Sequence, residues 1–222
     1  MARSRRGRHA SGRRVVRRPW AAVTALGGLL ALCGGLTGLV YTSHTGHPAT
    51  PLGPAAFVPI PRGHWAAAPD PDATPVAAPV SLSIPAIGVH TRLIQLGLTS
   101  SGTLQVPSVT TVAGWYTDSA RPGATGDAVI AGHIDSYTGP GVFFRLRLLQ
   151  PGNLIYIRRA DGSLAVFGVT AVRSYLKTGF PTSAVYGAVP DAQLRLITCG
   201  GTFDTATGHY LSNVIVFGTL QA

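Results

Sequence analysis

The sequence predicts a mainly β domain, closed or nearly closed into a barrel, carried behind a membrane anchor and a stalk. Three observations predict it. From about Val80 onward, short apolar or alternating runs follow one another, broken by Gly, Pro and Asp-Gly. An apolar, charge-free stretch lies behind an arginine-rich N-terminus. Between the two sits a segment rich in Pro and Ala.

Residues 1–20 form a basic tail with Arg3, Arg5, Arg6, Arg8, Arg13, Arg14, Arg17 and Arg18 and no acid. The tail supplies most of the formal charge of +10. The remainder shows no basic patch and no Arg/aromatic interleaving, so nucleic-acid binding is not expected. Residues 21–41 (AAVTALGGLLALCGGLTGLVY) hold no charge, and about 20 apolar residues suffice to cross a bilayer. Arginines stay on the cytoplasmic side, which puts the C-terminal domain outside the cell membrane. A cleaved signal peptide is the competing reading. The run is longer than the usual h-region of about 7–15 residues, which favours a single-pass anchor.

Residues 42–79 read as an extended stalk, since frequent proline prevents both helix and ladder pairing. His44, His47 and His64 fall there without ligand spacing. No metal and no cofactor are expected: acids are few and glutamate is absent. Residues 80–222 are the folded domain. Its expected strands lie within SLSIPAIGV, TRLIQLGL, SGTLQVP, DAVIAGH, NLIYIRR, SLAVFGVTAVRSY, LRLITC and NVIVFGTL. Ala160-Asp161-Gly162 marks a hairpin, and helix is scarce, with Val142 to Leu149 the best candidate for a single turn or two. No P-loop, dinucleotide fingerprint or zinc spacing occurs.

Two strand ends carry chemistry. DAVIAGH ends in Gly132-His133, and the alternating run Leu194–Cys199 meets Gly200-Gly201, which reads as a sharp exit. If these strands are neighbours in one barrel, a thiol and an imidazole reach the same rim, the minimum for acyl transfer. Cys33 falls in the expected span, so Cys199 has no intrachain partner and is a candidate reactive thiol. An inert buried cysteine is the competing reading, since free Cys is among the most buried residue types. Asp135 either orients His133 or caps the following turn.

DAVIAGH, the strand ending in Thr198-Cys199 and the closing Asn213–Val216 resemble the sortase family, over roughly Val80 to Ala222. The basic tail, anchor and stalk match in order. Gly200-Gly201 followed by Phe203-Asp204 is similar to the class F branch of actinobacteria, with class E as the alternative. The resemblance implies an eight-stranded barrel and a cysteine transpeptidase that uses neither metal nor cofactor. Cys199 would cleave an LPxTG-like sorting motif between Thr and Gly and hold the protein as a thioester. An amine of the peptidoglycan precursor would resolve it, with His133 as acid and base.

The family's third residue, a last-strand arginine, has no counterpart, because no arginine follows Arg195. Asn213, at about that place, and Arg195, on the face of Cys199, are the candidate stabilisers of a developing oxyanion. An outward ion-pair role is the competing reading of Arg195. Tyr137, Phe143, Phe144 and Tyr186 are candidates for either groove or core. His209 and Tyr210 either border the site or lie in a solvated loop, and Tyr175 to Pro190 is the expected substrate wall. A sortase-like thiol hydrolase and a non-catalytic binding barrel are the rival functions. A cell-wall L,D-transpeptidase is not expected, because no histidine closely precedes the cysteine.

Overall fold

The computed structural model describes residues 75–221. The expected basic tail, membrane span and most of the stalk, with Cys33, His44, His47 and His64, lie outside them. Ten strands are present: β1 (Pro79–Ile84), β2 (Val89–Leu96), β3 (Ala113–Tyr116), β4 (Gly126–Ala131), β5 (Asp135–Ser136), β6 (Gly139–Pro140), β7 (Leu154–Arg159), β8 (Leu164–Leu176), β9 (Ala192–Asp204) and β10 (His209–Leu220). Eight of them close a barrel in the order β1-β2-β3-β4-β9-β10-β8-β7, while β5 and β6 form a separate two-stranded ribbon. Closure leaves the barrel itself without an open edge at which unpaired backbone groups would invite aggregation. The eight-stranded barrel is as the sequence resemblance implies.

The alternation along each strand sorts side chains to two sides. Leu82, Ile130, Ile157, Phe167, Leu196 and Val216 belong to one apolar cluster within the barrel. The intervening residues of β4 and β9, Val129, Ala131, Ile197 and Cys199, join a second cluster with Phe180, Val185 and Tyr186. The connection from β8 to β9, which contains the short helix α1 (Thr182–Tyr186), therefore covers the outer face of these strands. Burial on both faces explains why Ala128 to Ala131 is apolar at every position instead of alternating.

Several expectations need correction. Val142 to Leu149, expected to hold a single helical turn or two, makes turns and one 3-10 segment, Leu146–Leu148. Phe143 and Leu146 are fully buried in the inner cluster, and Pro151 follows too soon for an α-helix to develop. The run Ser101–Pro107 contributes only the isolated bridge Leu98↔Leu104. β3 was not visible as a strand, because Ala113-Gly114-Trp115-Tyr116 is buried at every position and does not alternate.

The largest correction concerns the chain after Cys199. Gly200-Gly201 does not end the strand; β9 continues to Asp204 and returns through Gly208 into β10. Between Gly200↔Ser212 and Phe203↔Tyr210 the register shifts, so that two residues of β9 oppose Leu211 alone. Gly201 adopts φ +77° there, the left-handed glycine of a β-bulge. The glycine pair kinks a strand that the sequence makes it appear to stop.

Candidate active site

β4 and β9 lie side by side and parallel, with Ala131 level with Ile197. Gly132 N–H donates to the Ile197 carbonyl at 3.1 Å, which prolongs the pairing one residue past β4. His133 and Cys199 follow two residues beyond the last pair in each chain. Parallel neighbours deliver both side chains to one rim, and both line one cavity of about 420 Å³. Its walls come from the β2–β3 connection (Val106, Pro107), the segment Ile134 to Tyr137, and the β9–β10 hairpin (Phe203, Tyr210).

Cys199, the one free cysteine among the described residues, is only 5 % exposed. Burial pushes its thiol above the ordinary value, and Lys177 works against that shift, while Asp135 adds to it. The Nζ of Lys177 lies 3.7 Å from the sulfur.

One ring nitrogen of His133, Nε2, lies 2.7 Å from the carbonyl of Pro107. A carbonyl only accepts, so in the neutral ring Nε2 carries the proton and Nδ1 is the basic nitrogen. Asp135 does not take this orienting role. Its Oδ2 accepts a hydrogen bond from the Tyr210 hydroxyl, and the Tyr210 pKa is pushed up to about 12 by burial and by that carboxylate.

The two candidate stabilisers stand elsewhere. Arg195 shares the Cys199 face, as alternation requires, but it lies four residues back along β9 and is engaged elsewhere. Its Nη2 pairs with Asp127 Oδ1 at 2.9 Å and donates to Gln193 Oε1 at 2.8 Å. Its Nε donates to the Val185 carbonyl at 3.2 Å, and its guanidinium sits over the Phe217 ring, 4.7 Å from the centroid. Arg195 therefore ties β9 to β4, β10 and α1 and does not line the cavity. Asn213 is the direct cross-strand partner of Cys199. It is fully buried, and neither polar atom of its amide has a hydrogen-bond partner among the described residues.

Of the four aromatic candidates, only Tyr137 lines the cavity, and it is largely exposed. Phe143 and Tyr186 are core residues, and Phe144 lies outside the cavity. His209 and Tyr210 border the site from β10, not from a loop. The residue that sequence reasoning missed is Lys177. A signal existed: it is the only lysine of the chain, and it lies in the long segment before β9. Among the described residues no group of three His, Cys or Asp is placed to hold a metal ion.

A thiol and an imidazole thus meet at one rim of a closed eight-stranded barrel. A sortase-domain family profile matches residues 82–221. The chain belongs to the sortase family, a family of cysteine transpeptidases. Solved structures with the same fold include sortase A from Corynebacterium diphtheriae in a lid mutant, with 22 % identity and a TM-score of 0.51 over 69 % of this chain and 75 % of that one. The pilus island 1 sortase C2 of group B Streptococcus is 17 % identical, with a TM-score of 0.50 over 64 % and 73 %. Sortase C-1 of Actinomyces oris is 20 % identical, with a TM-score of 0.50 over 64 % and 71 %. No curated protein sequence matches the chain significantly.

Proposed function

We propose that this chain is a membrane-anchored, extracellular transpeptidase that cleaves an LPxTG-like sorting motif between Thr and Gly and joins the new carboxyl end to a cell-wall amine. The observation that carries the reading is the convergence of Cys199 and His133 on one cavity from adjacent parallel strands. The Cys199 thiolate attacks the threonine carbonyl and a C–S bond forms. The tetrahedral intermediate then expels the glycine amine, which takes its proton from the His133 imidazolium. The amine of a peptidoglycan precursor, deprotonated by the neutral imidazole, displaces the sulfur from the thioester.

Val106, Ile134 and Tyr137 offer the apolar surface that the motif's leucine needs. The segment Tyr175 to Pro190 is the wall on the side of Lys177. Gly200-Gly201 followed by Phe203-Asp204 favours the class F branch over class E. The arginine-rich tail and residues 21–41 support a cytoplasmic N-terminus and a domain on the outer side.

The test is direct. Full-length protein in detergent micelles is incubated with an LPxTG-type peptide, without and then with a small amine, and followed by intact mass spectrometry. An acyl adduct on Cys199, absent in Cys199→Ala and converted by the amine to a linked product, is the expected result. An adduct that only hydrolyses identifies a thiol hydrolase. The absence of any adduct across a panel of related motifs, from folded protein, leaves a binding barrel and overturns the enzyme reading.

A further inference from the structure

A thiol buried to this degree needs a nearby positive charge to ionise readily. The geometry of β8 supplies one. This strand pairs with β10 in the rows Tyr175↔Asn213 and Leu176↔Ser212. Lys177 continues the pairing one residue further, its N–H donating to the Leu211 carbonyl at 2.9 Å. Residues 175 and 177 share a face, and it is the face of Asn213 and Cys199. β10 separates β8 from β9, so two strand spacings, about 10 Å, must be crossed. A lysine's four-carbon stem covers much of that span, and Nζ ends 3.7 Å from Sγ.

The other charges around the thiol do not compete for that ammonium. Asp135, in β5, is engaged by the Tyr210 hydroxyl. The single ion pair among the described residues is Arg195–Asp127. His133, beyond β4, is held at Nε2 by Pro107, and His209, in β10, borders the cavity. Tyr175 in β8 and Tyr186 in α1 pack in the same apolar cluster as the thiol. Lys177 is half-buried, lines the cavity beside Cys199, and among the described residues is the one Lys or Arg side chain to do so.

We propose that Lys177 is the cationic catalytic residue of this site, steadying the Cys199 thiolate before attack and the substrate's carbonyl oxygen after it. The second role rests on the transpeptidase reading; the first concerns the thiol alone. When the C–S bond forms, the carbonyl π pair moves to oxygen. The negative charge thus passes from sulfur to an oxygen on the carbon that the sulfur has just bonded, within reach of one fixed ammonium. Lys177 neither gives nor takes a proton in this step, and the leaving amine is protonated by His133.

The test uses full-length protein in detergent micelles on a Cys33→Ser background, with Lys177→Met and Lys177→Arg. Iodoacetamide alkylation of Cys199 is timed by mass spectrometry across roughly pH 5 to 10. In Lys177→Met the midpoint is expected to move to higher pH and the rate at neutral pH to fall about tenfold, the scale of losing one opposite charge at this distance. Lys177→Arg is expected to keep the parent profile, and unchanged melting curves exclude unfolding. Superimposable profiles for Lys177→Met and parent would overturn the proposal. With sorting peptide, a fall in kcat at unchanged KM supports the second role, and a change confined to KM removes it. Because alkylation needs no peptide, a parent protein that turns over no peptide would sink the transpeptidase reading and leave the thiolate role still decided by the pH profile.

Discussion

At the residue scale, the site depends on how His133 is held. The Pro107 carbonyl fixes one ring nitrogen at 2.7 Å, so a single nitrogen remains for proton transfer. His133→Ala is therefore expected to lower transpeptidation about 10²–10⁴-fold, the usual contribution of a placed acid–base. Its melting temperature should match the parent, since the ring is only half-buried and its removal leaves no large cavity. Steady-state rates and a melting curve check both halves of the statement. Equal turnover in the variant would remove His133 from the mechanism. The sequence made Cys199 and His133 visible because each ends an apolar run. It hid the Pro107 contact, which joins residues 26 positions apart through a backbone oxygen that any residue would carry.

At the scale of elements, the rim is set by how closely β4 packs on the segment after β6. A Cβ placed on Gly132 would lie 2.6 Å from Val142 Cγ1 and 2.7 Å from Phe143 Cδ2. Phe143 is fully buried and has no room to retreat. Gly132→Ala is expected to cost about 1–3 kcal/mol as an overpacked position. It should also lower kcat, because the displaced end of β4 carries His133 with it. Denaturant unfolding and turnover, measured together, test the link. A stability loss with unchanged kcat would show that the rim tolerates the shift. The bulge at Gly201 belongs to the same scale. The dipeptide Gly-Gly is legible as a departure from regular strand, but whether it terminates or bends the strand depends on the partner, and β10 is long enough to continue the pairing.

At the scale of the whole molecule, the Arg195–Asp127 pair joins the barrel to its outer cover. Arg195 reaches Asp127 of β4, the Val185 carbonyl of α1 and the ring of Phe217 in β10. Arg195→Ala leaves a buried carboxylate unpaired and is expected to destabilise the domain by about 3–5 kcal/mol. The measurement is the denaturation midpoint. A near-neutral result would show that water readily replaces the guanidinium. Burial raises the Asp127 pKa to about 6 although Arg195 pulls it down. That value lies above the ordinary carboxylate range, so this group's contribution is full below about pH 4 and is lost as pH rises past about 6. Asp127→Asn, which stays neutral, should flatten that part of the melting temperature's pH dependence. A profile that keeps the parent's slope would assign the slope to other groups.

By itself the sequence determined the β class, the two chemistry-bearing strand ends and the shared face of Arg195, Ile197 and Cys199. These follow from a period of two along one strand and from where glycine interrupts it, both local properties. Only the tertiary structure decided which strands are neighbours, that Arg195 is engaged with Asp127 in place of the substrate, and that Lys177 stands at the thiol. Each of those facts joins residues on different strands: 22 positions separate Lys177 from Cys199, and Asp127 lies on β4 while Arg195 lies on β9. The strand order and register that bring them together are set by packing of the whole barrel, for which no local pattern carries a sign.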